Sequence, residues 1–172
     1  MTSRGEVSIR PATPADHETI WAMLEPVYRA GETYCIPRDV SRADALDDWF
    51  EAGFSAFVAE YDGRALGISH VGRNRAGGGG HVYNAAFVTA PEARGRGIAR
   101  SLVDHATHWA RQQGARAMQF NFVVSTNEDA VHLWQKAGFM VVGRVPGAFD
   151  HPKHGYVDAL VMYRDLTEGK PE

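Results

Sequence analysis

The chain has 172 residues, the length of one domain, and its 44% apolar content is enough to bury a substantial core. The formal net charge of −3 gives no basic surface for a nucleic acid, and no apolar run is long enough to span a bilayer. A lone cysteine, Cys35, excludes an internal disulfide, and no Cys/His spacing is typical of zinc. Residues 1–10 lack the apolar core of a signal peptide. We therefore expect a cytoplasmic protein with a single domain over residues 1–172.

Hydrophobic spacing and turn residues divide the first half of the chain into a strand, two helices and a hairpin. Thr13 and Pro14 suit the start of a helix, and Ser41 begins a capping-box-like sequence for a second helix. Pro26 predicts a kink or an early end in the first helix. Asp62-Gly63 between two β-rich runs is a strong hairpin signal. The predicted elements are a strand over 7–10, helices over 14–28 and 41–51, and strands over 54–61 and 64–72.

The second half alternates strands and helices after a glycine-rich connection over 73–80, which we expect to be flexible. Gly114 and Gly138 are placed to end helices. The predicted elements are strands over 81–89, 117–124, 140–145 and 157–166, and helices over 97–113 and 127–137. Hairpins at the front and a central β–α–β crossover predict an α+β fold, a mixed sheet with helices on its faces. The order of elements is β-α-α-β-β-β-α-β-α-β-β.

A loop rich in glycine and arginine joins a strand to a helix within residues 90–102. Glycine lets backbone N–H groups approach a ligand closely, and the first turn of a helix presents N–H groups that attract an anion. Arg94 and Arg96 add positive charge, so the loop predicts a phosphorylated ligand. A P-loop is excluded because no Gly-Lys-Ser/Thr occurs, and residues 95–100 lack the third glycine of a dinucleotide-binding fold.

Two motifs identify the chain as a relative of a known family. Arg94, Gly97 and Ala99 fit the pattern Arg/Gln-x-x-Gly-x-Gly/Ala, which resembles the acyl-CoA pyrophosphate loop of the GCN5-related N-acetyltransferases, the GNAT family. Residues 127–139 resemble the family pattern Asn-x-x-Ala-x-x-Leu-Tyr-x-Lys-x-Gly-Phe, with Trp134 in place of the tyrosine. The order of elements is also that of the family, so the resemblance covers essentially the whole chain. It implies the GNAT acyl-CoA N-acyltransferase fold.

The resemblance implies that acetyl-CoA is a co-substrate and that no metal takes part. In such enzymes two central parallel strands separate near their ends, and pantetheine bonds to the backbone of the first one. A helix N-cap is the alternative role for Asn127. The residues expected to bind acetyl-CoA are Ala86, Phe87 and Val88 in the strand, Arg94, Gly95, Arg96, Gly97, Ile98 and Ala99 in the loop, and Asn127 and Trp134 in the later helix.

Trp134 leaves one catalytic role open. In many relatives the tyrosine at this position protonates the departing thiolate, whereas an indole N–H is no proton source at neutral pH. Ser125, Tyr163 and water are the alternatives. Trp134 itself is expected to pack against the cofactor.

Two asparagines, Asn84 and Asn121, lie within predicted strands, where asparagine is depleted and costly to bury unpaired. Each can satisfy a strand break or a buried water. The other interpretation comes from a resemblance to the amino-acid branch of the family, including the fungal enzymes that detoxify azetidine-2-carboxylate and other proline analogues. It implies that Asn84 holds the substrate carboxylate and that Asn121 orients the amine or polarises the acyl carbonyl.

Two loops complete the expected acceptor site. The loop over 31–39 covers this site in the family, so Glu32 and Tyr34 are expected to bind substrate, and Tyr28 to pack at a helix end. The loop over 145–156 carries His151 and His154, which suit a general base. Exposed loop histidines without chemistry are the commoner alternative.

The expected function is acetyl-CoA-dependent N-acetylation of a small-molecule amine, an amino acid or an amino-acid analogue. A protein or peptide N-acetyltransferase is the first alternative and would need an open groove. A non-catalytic acyl-CoA-binding module is the second. The expected partners are the amine substrate and, as in many relatives, a second copy of the chain in a homodimer; neither nucleic acid nor membrane is expected.

Overall fold

A computed structural model describes residues 6–168, and residues 1–5 and 169–172 lie outside that range. The expectation that residues 1–10 are no signal peptide therefore falls partly outside the described residues. The strands are Val7–Pro11 (β1), Phe54–Tyr61 (β2), Arg64–Arg73 (β3), Val82–Thr89 (β4), Ala117–Val124 (β5), Met140–His151 (β6) and Gly155–Asp165 (β7). The helices are His17–Ala30 (α1), Arg42–Trp49 (α2), Ile98–Gln112 (α3) and Glu128–Lys136 (α4). The predicted order of elements and the mixed sheet are confirmed.

The strands form one sheet in the order β1-β2-β3-β4-β5-β7-β6. Neighbours are antiparallel except for β4 and β5, which run parallel because α3 crosses over between them. Helices α1 and α2 bury Leu24 and Trp49 against Ile68 on one face of the sheet. Helix α3 buries Val103 against Met118 on the other face, where α4 also packs. Within residues 6–168, no helix combines the length and the apolar character needed to cross a bilayer.

Two details of the prediction are wrong: the early end of the first helix at Pro26, and the loop over 145–156. Helix α1 continues past Pro26 to Ala30, because the side chains around the exposed proline, including Leu24 and Tyr28, are buried against the sheet. The expected loop over 145–156 is instead a long β6–β7 hairpin, in which His151 pairs with Gly155. Pro146 and Gly147 fall in an irregular stretch of β6 between two paired segments. A proline is tolerated there because β6 is the edge strand and needs no second ladder.

The carboxylate of Asp16 fixes the start of α1 against the sheet. Its oxygens accept two hydrogen bonds from the Arg10 guanidinium, at 2.8 and 2.9 Å, and one from the Thr13 backbone N–H at 2.7 Å. Arg10 also donates to Glu60 on β2. These bonds, with that from Arg10 the most important, hold the pKa of Asp16 well below its usual range. The anchor thereby sets the direction in which α1 carries the following loop over the sheet.

We expect Asp16→Asn to lower the free energy of unfolding by about 2 kcal/mol at pH 7, because it removes a charged acceptor from a nearly buried site. The depressed pKa in the folded state means that the carboxylate stabilises above its ordinary pKa of about 4, and that this contribution is lost as the pH falls further. Urea unfolding at pH 7 and pH 3 should therefore show a difference between variant and wild type that shrinks in acid. Glu18→Gln, which breaks an exposed pair between α1 and Arg42 at the start of α2, is the control and should leave the midpoint almost unchanged. Equal midpoints for Asp16→Asn and wild type at pH 7 would contradict the expectation.

Candidate active site

A gap opens through the sheet where β4 and β5 separate. The strands pair at Val82–Ala117 and Tyr83–Met118 and diverge beyond these pairs, and β5 is irregular between Phe120 and Val123. The resulting cavity has a volume of about 270 Å³. Side chains from both faces of the sheet line it: Val27, Thr33 and Tyr34 from the α1 side, Asn127, Ala130 and Trp134 from the α4 side, and residues 85–89 and several of 120–124 from the strands.

The backbone N–H and C=O groups of successive β4 residues point alternately toward β3 and toward the gap. The Val82 carbonyl accepts from Asn74 N–H, and Ala90 N–H donates to the Leu66 carbonyl, which sets the even-numbered residues toward β3. The three strand positions predicted to bind pantetheine are therefore not equivalent. Phe87 directs its N–H and C=O into the gap, whereas Ala86 and Val88 direct theirs toward β3 and contribute side chains to the cavity wall.

Two of the gap-facing backbone groups have side-chain partners. Ala85 N–H donates to the Asn84 carboxamide oxygen at 2.8 Å, and the Tyr34 hydroxyl donates to the Phe87 carbonyl at 2.7 Å. The oxygen of Asn84 thus satisfies a strand break, as one of its two interpretations required. Its NH₂ end is the part that could meet a carboxylate.

Aromatic rings form the α4 side of the gap. The Trp134 ring lies 5.2 Å from that of Phe87 and 5.1 Å from that of Phe120, which stacks on Phe139 at 4.4 Å. Asn127 stands at the N-cap position of α4, yet within the described residues its side chain makes no capping hydrogen bond and instead lines the cavity. Of the three alternatives for a proton donor, Ser125 and Tyr163 are not among the residues that line this cavity; each lines another one.

The arginine–glycine loop turns from β4 into α3 through two left-handed glycines. Gly95 and Gly97 have φ values of 74° and 76°, a region that favours glycine. The N–H groups of Arg94 and Arg96 are used within the turn, by the carbonyls of Pro91 and Ala93. The first helical bond runs from Ser101 to Gly97, so the N–H groups of Ile98 and Ala99 belong to the open first turn of α3. These N–H groups and the exposed Arg94 are the part of the loop suited to an anion.

A cluster of carboxamides lies beside the gap. Asn74 and Asn121 exchange hydrogen bonds of 3.0 and 2.6 Å, and Gln119 donates to the Asn121 oxygen at 3.0 Å. Neither Asn84 nor Asn121 is among the residues that line the cavity itself. Asn74 and Gln119 were not predicted. The sequence could have predicted Gln119, because it lies on the same strand face as Asn121. It could not have predicted Asn74, which comes from the glycine-rich connection.

A bridge connects the loop after α1 to the β6–β7 hairpin. The Lys153 ammonium lies 2.5 Å from the Glu32 carboxylate, and the Lys153 side chain lowers the pKa of Glu32. His151 is buried, not exposed as the commoner alternative held, and its Nδ1 accepts the Lys153 backbone N–H at 3.1 Å. The His154 ring lies 4.6 Å from that of His151. Glu32 lines a neighbouring cavity of about 560 Å³ under α1, while Tyr34 lines the gap.

No group of three or more His, Cys, Asp or Glu side chains within residues 6–168 is placed to hold a metal ion. The parted strands, the inward backbone of Phe87 and the open turn at Ile98 fit an acyl-CoA with an extended pantetheine arm and a pyrophosphate. Strand-like pairing and anion binding at a helix N-terminus are the interactions that these groups offer.

Comparison with known proteins gives the same result. The family model described as "Acetyltransferase (GNAT) family" matches residues 18–139. N-acetyltransferase aca1 of Schizosaccharomyces pombe is 26% identical over 148 residues, 76% of this chain and 71% of aca1. L-amino acid N-acyltransferase MnaT of Escherichia coli is 30% identical over 109 residues, 60% of this chain and 63% of MnaT. The structure of a GCN5-related N-acetyltransferase from Kribbella flavida superposes with a TM-score of 0.87 at 42% identity, over 92% of this chain and 97% of that one. The chain therefore belongs to the acetyltransferase (GNAT) family: it is an N-acetyltransferase, and acetyl-CoA is its acetyl donor.

Proposed function

We propose that the enzyme acetylates the amine of a small molecule, an amino acid or an amino-acid analogue. The observation that carries this proposal is the carboxamide cluster of Asn74, Gln119 and Asn121 beside the gap. Carboxamide NH₂ groups can bind a carboxylate without a charged groove. The similarity to the L-amino acid N-acyltransferase MnaT supports the same class of substrate.

The bridge between Glu32 and Lys153 favours a small acceptor over a peptide. It joins the loop after α1, which covers the acceptor site in this family, to the tip of the β6–β7 hairpin. A peptide would need an open groove, whereas this contact ties the covering loop to the hairpin. Protein acetylation remains the alternative outcome of the test below.

The residues proposed to hold acetyl-CoA are those predicted from the motifs, with roles that the geometry makes distinct. Phe87 offers backbone groups to the pantetheine amides, and Ala86 and Val88 form the wall. The pyrophosphate meets the first turn of α3 and Arg94, with Gly95 and Gly97 giving the loop its path; Ile98, Ala99 and Arg96 complete it. Arg96 lies 5.0 Å from the Tyr61 ring centre, which orients its guanidinium. Asn127 and Trp134 contact the pantetheine arm from α4.

The homodimer stays a prediction. The edge strand β6 and the adjoining hairpin expose apolar side chains that a second copy could cover: Met140, Val141, Val142, Val145 and Tyr156.

We expect the enzyme to release free CoA from acetyl-CoA when an amino acid or a proline analogue is supplied as acceptor. Thiol release would be measured across a panel of amino acids, proline analogues, and peptides with a free N-terminus or lysine. Turnover restricted to peptides would replace the small-molecule proposal with protein acetylation. Thermal stabilisation by CoA without turnover on any member of the panel would mean that the acceptor belongs to neither class.

We expect Asn121→Ala to lower kcat/KM for the acceptor at least 10-fold, because a carboxamide that meets the amine or the acyl carbonyl is removed. The KM for acetyl-CoA should change less than threefold. Asn74→Ala breaks the same reciprocal pair but leaves Asn121 in place, so it should reduce turnover less while lowering the melting temperature by a similar amount. A kcat/KM for Asn121→Ala within threefold of wild type would contradict this role.

We expect Gly97→Ala to raise the KM for acetyl-CoA at least 10-fold. A Cβ at this glycine meets no atom within 4 Å, so the substitution acts through its positive φ, which costs about 1 kcal/mol, and through the path of the anion loop. Gly114→Ala is the matched control, since Gly114 has a φ of 88°, similarly open surroundings and a position beyond the opposite end of α3. It should lower the melting temperature equally and leave KM unchanged. A KM for Gly97→Ala within twofold of wild type would contradict a role in cofactor binding.

A further inference from the structure

A phenol reaches the gap from the face of the sheet opposite α4. Position 134 on α4 holds an indole, but among the cavity-lining residues of the described chain Tyr34 carries a phenol, contributed by the loop after α1. Its hydroxyl lies 2.7 Å from the Phe87 carbonyl oxygen. Since Phe87 turns its backbone toward the gap, the Tyr34 oxygen stands at the edge along which the acyl-CoA arm is expected to run.

We propose that the Tyr34 hydroxyl is the proton relay that serves the departing sulfur of CoA. The inference deepens the proposed acetyl transfer and rests on it. In the transfer, the C–N bond forms and the C–S bond breaks with its electron pair moving to sulfur. Tyr34 gives its proton to sulfur while its oxygen receives the surplus proton of the attacking nitrogen. The sum is an amide and the free thiol, with the phenol restored.

A concerted relay fits the environment of Tyr34 better than a free acid. Burial raises the pKa of Tyr34 to about 12, so a free phenolate would be a costly intermediate, whereas a phenol that gains one proton as it loses another avoids it. The position between the two faces of the sheet suits this role. The acceptor amine approaches from the α1 side, and the sulfur lies in the gap.

The surroundings of Tyr34 hold its ring in place, while its hydroxyl proton, which rests on the Phe87 carbonyl, is free to rotate toward the gap. Tyr28 packs edge-on against it, with ring centres 5.9 Å apart. A carbonyl oxygen has two lone pairs, so Phe87 can accept from a pantetheine amide and stays satisfied when the Tyr34 hydroxyl turns to the sulfur. The packing therefore fixes the ring, and rotation about its C–O bond moves the proton from the Phe87 carbonyl to the gap.

We expect Tyr34→Phe to lower kcat about 100-fold, the scale of acid–base catalysis by one side chain, with the KM for acetyl-CoA within threefold of wild type. The ring packing is retained in this variant. Tyr28→Phe, which removes the hydroxyl of the neighbouring buried ring outside the gap, is the matched control and should stay within twofold of wild-type kcat. A kcat for Tyr34→Phe within threefold of wild type would overturn the proposal.

A second variant separates proton transfer from orientation of Phe87. Adding Trp134→Tyr to Tyr34→Phe returns a phenol to the gap from α4, and we expect it to recover at least 10-fold in kcat. CoA affinity is measured by calorimetry for both variants, so that a loss of binding is not mistaken for a loss of catalysis. A double variant that binds CoA like Tyr34→Phe but recovers no activity would mean that Tyr34 only holds the strand.

A readout without turnover uses free CoA as the probe. A hydroxyl that donates to sulfur stabilises the bound thiolate, so the pKa of the bound thiol, followed by its ultraviolet absorbance, should be about one unit higher in Tyr34→Phe than in wild type. An identical titration in the two proteins would overturn the relay. If no amine in the panel is acetylated, the proposed function fails, while this titration still decides whether Tyr34 meets the sulfur.

Discussion

The site depends on one constraint: backbone groups that lose their ladder partners where β4 and β5 separate must be satisfied in another way. An unpaired N–H or C=O in such a place costs about as much as a lost hydrogen bond. Asn84 satisfies Ala85 N–H, and Tyr34 satisfies the Phe87 carbonyl. Asn84 and Tyr34 therefore satisfy backbone groups at the gap, in addition to the parts proposed for them in the reaction. An extended ligand that enters the gap can form strand-like hydrogen bonds with the same edge of β4.

Local patterns predict most of the fold because hairpin turns, helix caps and glycine stops act over a few residues. The Asp62-Gly63 hairpin, the strand over Phe54–Tyr61 and the start of α3 all follow from such signals. The extension of β6 does not, because Pro146 and Gly147 are typical of a loop, and only the position of β6 at the sheet edge makes them compatible with a strand. Edge position is a property of the whole sheet.

The site shows the same division. The arginine–glycine loop is recognisable because its chemistry lies within one segment, and so is the motif at the start of α4. The carboxamide cluster is different, since Asn74 and Asn121 are 47 residues apart and meet through the register of three strands. The buried state of His151 depends likewise on a hairpin that sequence patterns treat as a loop. Residues that meet only through tertiary contacts have no fixed spacing in the sequence, so no sequence pattern predicts their contact.

The parallel ladder between β4 and β5 joins the two halves of the sheet through two residue pairs. One half carries β1 to β4, and the other carries β5 to β7, with α3 as the covalent crossover. A ligand that pairs with β4 along the gap therefore acts as a structural member of the sheet. Binding of the cofactor would therefore also couple the two halves of the sheet mechanically. The backbone amides on either side of the gap should exchange with solvent more slowly as acetyl-CoA saturates the enzyme.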